Sequence, residues 1–343
     1  MKPFIKFISI SFVISVVLLG AAYLYVTNKL DSPVSITKET TVNIPRGTTL
    51  KGAIAILNKK SILEPAFLFE VAAKYEARQT GQNLIAGSYK FKPGDSGKEI
   101  IKAILTGNRM FTLKVTYPEG ISVRRFAEIT EAKLGVDISD FLDIVNSEEF
   151  RIAQNIPCRK SEGYLFPETY EFFAEPTAED VVKKLLRQGQ KIWDTQFAAQ
   201  AAEAGKTKHE VLTLASIIEA ETPVPDERPR VSGVYHNRLR VGMLLQADPT
   251  VQFAIGQKRR VLYKDLESRN PYNTYKHAGL PPGPINSPGA TAIDAALNPE
   301  KNGYYYFVAV GDGTHRHNFA ANHTQHINNV HAFRRKIRSQ RRR

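Results

Sequence analysis

Two carboxylates near the end of one apolar helix, Glu219 and Glu221, are the residues best suited to chemistry in this 343-residue chain. They close the run from Lys208 to Thr222. Within it Val211, Leu214, Ala215 and Ile218 recur at helical spacing, and Leu212 and Ile217 widen the apolar face. Pro223 and Pro225 stop that helix. A carboxylate is disfavoured at a helix C-terminus, where the macrodipole is negative, and apolar neighbours add to the cost of its charge. Such a group holds its proton toward neutral pH, as a general acid must. The two glutamates are two positions apart, so they point to different sides of the helix and cannot flank one bond as a glycosidase pair would. At most one is catalytic. Helical spacing does not say which, and two solvated side chains on a polar face would read the same way.

Other chemistries find little support. The histidines His315, His317, His323 and His326 lie close in sequence, with His315 and His317 on one face of an expected strand. Only Asp312 is a nearby carboxylate and no cysteine accompanies them, so cleft-wall histidines are expected rather than a metal site. The single Cys158 excludes an internal disulfide framework and carries no protease signature. Gly-rich phosphate loops, His-Glu-x-x-His and Gly-x-Ser-x-Gly are absent from the sequence. What remains is one candidate acid among loops rich in polar and aromatic residues, from Met243 to Pro249, Asn270 to Tyr275 and Gly279 to Gly289. Aromatic rings and amide side chains suit a carbohydrate cleft.

The formal net charge is +13, but Arg334 to Arg343 carry seven positive charges, leaving +6 for the rest. No aromatic residues interleave those charges and no nucleic-acid motif precedes them. A solvated or loosely anion-binding end is expected, and no nucleic-acid partner.

The elements that must position the acid follow in order. Residues 7–28 carry no charge and are mostly apolar, long enough for a single-pass transmembrane helix, with Lys2 and Lys6 placing residues 1–6 in the cytoplasm. Gly20 and Ala22 offer a cleavage site, but the apolar run continues past them, which favours an uncleaved anchor. Residues 29–39 read as a linker. Strand–helix–helix–strand–helix signals follow at 40–44, 50–58, 65–75, 82–91 and 96–105. This order over residues 40–108 resembles a LysM-type glycan-binding module, though a plain α+β spacer has the same order. Residues 109–160 read as a connecting α+β region, with a strand at 110–116 and helices at 122–134 and 137–145. Then come one long helix over 178–204, the central helix, and a further helix over 226–240. A helix at 289–297 and strands at 304–310 and 314–320 close the pattern, and residues 334–343 form a basic tail.

Several motifs together resemble the YceG-like family, the endolytic murein transglycosylases called MltG. They are the runs Leu214–Thr222, Asn237–Met243, Leu245–Thr250, Tyr272–Tyr275, Gly279–Gly283 and Ser287–Gly289, continued by His317, Phe319, Asn322 and His326. The resemblance implies an α+β protein: an N-terminal transmembrane helix, a small LysM-like α+β module and a mostly helical α+β catalytic domain over residues 161–333. It implies an inner-membrane enzyme with its catalytic domain outside the cytoplasm. That enzyme cuts the bond between N-acetylmuramic acid and N-acetylglucosamine inside peptidoglycan strands, without cofactor or metal. Peptidoglycan synthases are candidate protein partners. The family acid is the second glutamate of a Glu-x-Glu-Thr element, here Glu221. Ala220 departs from the lysine frequent at the middle position. Glu219, Asn237, Gln246, Asp248, Tyr272, Asn273, Thr274, Tyr275 and His317 are the expected substrate-binding residues. A lysozyme-type hydrolase using Glu221 with Asp248, and a glycan-binding scaffold without turnover, are the alternatives.

Overall fold

The computed structural model describes residues 2–157 and 161–340, with side chains from Ile14 onward. Cys158 and the last three residues of the basic tail therefore lie outside the described residues. The chain divides into two compact units, Met1–Lys114 with Glu171–Glu175, and Val115–Tyr170 with Pro176–Arg343.

The first unit begins with α1 (Lys2–Asp31) and continues through β1 (Thr40–Ile44), α2 (Leu50–Lys59), α3 (Ala66–Thr80), β2 (Gly87–Phe91) and α4 (Gly97–Thr106). The antiparallel pair β1–β2 runs from Thr40 opposite Phe91 to Ile44 opposite Gly87. Alternation along the strands sends Val42, Ile44, Tyr89 and Phe91 into a core shared with Ile54, Leu57, Ile100 and Ile104. Thr49 caps α2, and Ser96 with Glu99 forms a capping box on α4. The expected strand over 82–91 starts only at Gly87, because β1 ends opposite that residue and offers no partner further back. The expected linker begins inside α1: Val26 and Leu30 are helical and pack against this core. Among the described residues no helix is long and apolar enough to cross a membrane. The side chains of residues 7–13, the first part of the expected span, lie outside them.

After β3 (Leu113–Thr116) come α5 (Val123–Leu134), α6 (Ile138–Asn146) and the short α7 (Glu148–Ala153), which was not expected. Then β4 (Thr169–Phe172) pairs with β3. The long helix expected over 178–204 is two, α8 (Ala178–Ile192) and α9 (Ala198–Glu203), joined by a π-helical turn at Trp193–Phe197. Next are α10 (Lys208–Glu221), α11 (Arg228–Arg240), α12 (Asp248–Ala254), α13 (Tyr263–Leu266) and α14 (Ala290–Leu297). The hairpin β5 (Tyr306–Ala309) and β6 (His317–Ala320) follows, and α15 (His323–Gln340) is the last element among the described residues.

The central helix α10 starts at a capping box of Thr207 and Glu210. Every residue from Val211 to Ile218 is buried, because α14, α11 and α12 all pack on it. A helix covered on all sides is apolar all round. The loop expected from Met243 to Pro249 is shorter than its sequence indicated: α12 already starts at Asp248, with Pro249 in its first turn, where a missing N–H costs nothing. The basic tail expected from residue 334 is, as far as Gln340, the last turns of α15. Phe333 and Ile337 lie close over Gly311, and Lys336 meets Asp312 at 3.2 Å. The observed fold is mixed α+β and mostly helical, with small two-stranded sheets.

Candidate active site

At Thr222 the backbone leaves the helix for an extended conformation (φ −137°, ψ 124°), so Glu221 is the last residue of α10. The segment Pro223–Pro225 then feeds α11, whose Tyr235 comes back to the helix end. The Tyr235 hydroxyl donates to Oε1 of Glu221 at 2.8 Å. Burial pushes the Glu221 carboxyl up to about 7 and the negative charge of Asp248 pushes the same way; the Tyr235 donor and the positive charge of Arg238 oppose them.

Glu221 opens into a cleft of about 530 Å3. Of the expected substrate-binding residues, Gln246, Asp248 and Tyr275 line it with Glu221, and the Tyr275 hydroxyl donates to Oδ1 of Asp248 at 2.7 Å. Gln246 adopts a positive φ of 49°, and its N–H is tied to the Thr274 carbonyl at 3.1 Å. The other wall carries Arg238, Tyr306, Phe307, His323 and His326.

The remaining expected residues hold this cleft together from outside it. Asn273 is fully buried: its Nδ2 donates to the Leu266 and Ser268 carbonyls, and its Oδ1 accepts from the Tyr275 N–H. Thr274 is buried too, its hydroxyl binding the Ala247 N–H and the Thr250 hydroxyl. Asn237 donates to the Asn302 and Tyr304 carbonyls and faces a separate groove with Gly233 and His236. The Tyr272 ring packs on Phe253 at 4.7 Å. His317 is held by Glu227, Nδ1 to Oε2 at 2.9 Å, and meets Phe307 edge-on. These corrections share one cause. Polar side chains on irregular segments satisfy local backbone groups first, because a buried carbonyl or N–H left unpaired is costly.

Glu219 points away from the cleft. It forms a buried pair with Arg228 at 2.5 Å and accepts the Gly289 N–H at 3.1 Å, and Arg228 also reaches Thr291 and the exposed Glu119. Burial pushes its carboxyl up, against the Gly289 donor and the Arg228 charge that draw it down. The two glutamates thus differ in kind: one opens on a cleft beside a single donor, the other is locked into an ion pair.

Arg238, Tyr235 and Tyr306 were missed as site residues. Tyr235 and Arg238 read as an apolar and a charged position of a helix, and only the approach of α11 to the end of α10 turns them inward. Among the described residues no group of three His, Cys, Asp or Glu side chains could hold a metal ion. His315 sits in the hairpin turn with a φ of 59°, apart from the histidines of the cleft. The arrangement offers one chemical device: a carboxyl able both to give and to take a proton near neutral pH, in a polar and aromatic cleft.

Residues 42–332 match the model of the YceG-like family. The chain is 35% identical over 317 residues to an endolytic murein transglycosylase of Bacillus subtilis (strain 168), covering 86% of both chains. It is 29% identical over 365 residues to the protein of that name from Streptococcus pneumoniae (serotype 2, strain D39), and that match takes in 95% of this chain but spans only 65% of the relative. The crystal structure of a YceG-like protein from Listeria monocytogenes superposes with a TM-score of 0.59 at 31% identity, over 85% of this chain and 99% of that one. With the family match running through both units and the helix end that carries Glu221, the chain belongs to the YceG-like family.

Proposed function

We propose that this protein is an endolytic murein transglycosylase, a lyase that cuts the N-acetylmuramic acid–N-acetylglucosamine bond within peptidoglycan strands. The observation that carries the reading is Glu221: a carboxyl pushed up to about 7 by burial, at the wall of a cleft, with one donor on it. Glu221 protonates the glycosidic oxygen, and the leaving sugar departs. The resulting carboxylate takes the proton of the muramoyl C6 hydroxyl as that oxygen bonds to C1. The product is a 1,6-anhydro end, no water is consumed, and the enzyme returns to its starting protonation state. One carboxyl is enough for both steps, and the names of the curated relatives support the activity.

Residues 7–28 complete the reading as a single membrane anchor, with residues 1–6 cytoplasmic and the rest outside the membrane. Supporting it are the uncharged run and the bare apolar surface of α1, where Leu18, Leu19 and Leu24 stand 63%, 71% and 67% exposed. The β1–α2–α3–β2–α4 unit is read as a LysM-like contact for the glycan, and peptidoglycan synthases as candidate partners. One observation favours a second reading. Asp248 shares the cleft and raises the Glu221 carboxyl, so a lysozyme-type hydrolase could use the pair. Mass analysis of strands digested by wild type beside Glu221→Gln tests both. New ends lighter by one water than a hydrolytic product, lost in the variant, support the lyase; hydrated ends support the hydrolase; no new ends leave only a glycan-binding scaffold.

A further inference from the structure

Arg238 is only 7% exposed, yet its guanidinium is not fully engaged. Nε donates to the Tyr305 carbonyl at 2.7 Å and Nη1 to the Leu245 carbonyl at 2.7 Å. Nη2 has no partner among the described residues, and Arg238 lines the cleft. No ion pair joins Arg238 to Glu221, whose partner is Tyr235, and the other acid of the cleft, Asp248, is bound by Tyr275.

Two histidines stand beside it. The Tyr306 ring lies 5.6 Å from the Arg238 guanidinium, stacks on His326 at 5.1 Å and 23°, and meets His323 edge-on at 6.0 Å. Nδ1 of His326 is buried with no hydrogen-bond partner. Burial, then the charges of Arg238 and His323, hold the His326 imidazole below its ordinary range. Three groups able to carry positive charge thus gather around one ring on one cleft wall. The unpartnered Nη2 of Arg238, beside the unpartnered Nδ1 of His326, points to a missing anion, which a fixed guanidinium binds through charge-assisted hydrogen bonds.

We propose that the Arg238–Tyr306–His326–His323 wall is a specificity site for a carboxylate carried by the glycan strand, selecting strands with acidic substituents over neutral amino-sugar polymers. The inference rests on the glycan-cleaving reading above. Muramic acid supplies that carboxylate in two ways: through its own 3-O-lactyl group when bare, or through the acid groups of a peptide joined to that lactyl group.

The test is calorimetric binding to the full chain carrying Glu221→Gln, which removes turnover. The probes are glycan oligomers of equal length: a chitin oligomer with no carboxylate, a peptide-stripped murein oligomer and a peptide-bearing one. A carboxylate-bearing oligomer is expected to bind about tenfold or more tighter than the chitin oligomer, with the gap shrinking at high salt. Whichever of the two murein oligomers binds tighter identifies the source of the carboxylate. Adding His323→Ala, an exposed position that leaves the buried contacts in place, should narrow the gap severalfold. Arg238→Gln should close it, with thermal melting reporting whether that variant folds. Equal binding of all three oligomers, or a preference untouched by His323→Ala, overturns the proposal. A preserved preference in a wild-type protein that makes no anhydro ends overturns the proposed activity instead, so the two failures are distinguishable.

Discussion

The hydroxyl of Tyr235 donates to Oε1 of Glu221 at 2.8 Å, joining the middle of α11 to the last residue of α10. The Tyr235 ring is buried edge-on against Phe307 at 5.9 Å, so the hydroxyl is fixed where it stands. Burial, and next the charge of Glu221, push the phenol well above its ordinary range, so it stays a donor. Tyr235→Phe removes the group that draws the Glu221 carboxyl down. Glu221 acts first as an acid, so activity falls as pH rises through its pKa. The variant should shift that alkaline limb upward by about 0.5–1 pH unit, the worth of one ordinary hydrogen bond. A pH–rate profile with no upward shift refutes the assignment.

Asp248→Asn should move the same limb the other way. Asp248 raises the Glu221 carboxyl through its charge, and the amide removes that charge. The lyase reading expects substantial activity on the acid side of the profile. A variant that is dead at every pH, while folded, would favour Asp248 as a second catalytic carboxylate.

Glu221→Gln should lose activity by at least about 10²–10⁴-fold, the usual cost of removing a general acid, with the fold intact. Glu219→Gln should instead weaken the fold, by about 1.5–3 kcal/mol, because it leaves the buried Arg228 without its closest carboxylate. Anhydro-product release and thermal melting on both variants separate the roles. Normal turnover by Glu221→Gln would exchange them.

Stability should depend on pH through Glu221. Its folded pKa, about 7, lies above the ordinary carboxyl value of 4.5, so the folded state binds the proton more tightly than the unfolded chain. That contribution is present below pH about 4.5 and is lost as pH rises to about 7. Glu221→Gln has no proton to lose. It should therefore gain on wild type by about 1–3 kcal/mol between pH 4.5 and 8, the range allowing for solvent screening at the cleft. Parallel melting curves at the two pH values would contradict this.

Gly233→Ala should destabilise the protein although alanine is the better helix former. A Cβ at Gly233, inside α11, meets the Glu300 backbone carbonyl and the Asn302 side chain. Overpacking of this kind costs about 1–3 kcal/mol, more than the gain of up to about 1 kcal/mol in helix propensity. Thermal unfolding of the purified variant reads the sign directly.

The end of α10 was legible in the sequence because its causes are local: an apolar period and two prolines. The order of elements from β1 to α4 was legible for the same reason, since the patterns and turns that mark it are local. Which glutamate opens on a cleft was not legible, because the partners that separate them are remote. Glu219 is held by Gly289, 70 positions away, and Glu221 by Tyr235, 14 positions away. The run from Tyr272 to Tyr275 reads as four equivalent polar or aromatic candidates, yet only Tyr275 reaches the cleft; Asn273 and Thr274 are turned inward by backbone groups they must satisfy. The helical course of α15 through the basic segment was hidden as well, since Phe333 and Ile337 gain their apolar contact only once the hairpin turn at Gly311 is beneath them. Periodicity and caps act within a few residues and survive in the sequence. Exposure, pairing and the pKa of a carboxyl depend on what long-range packing brings beside it, and that was decided by the tertiary structure alone.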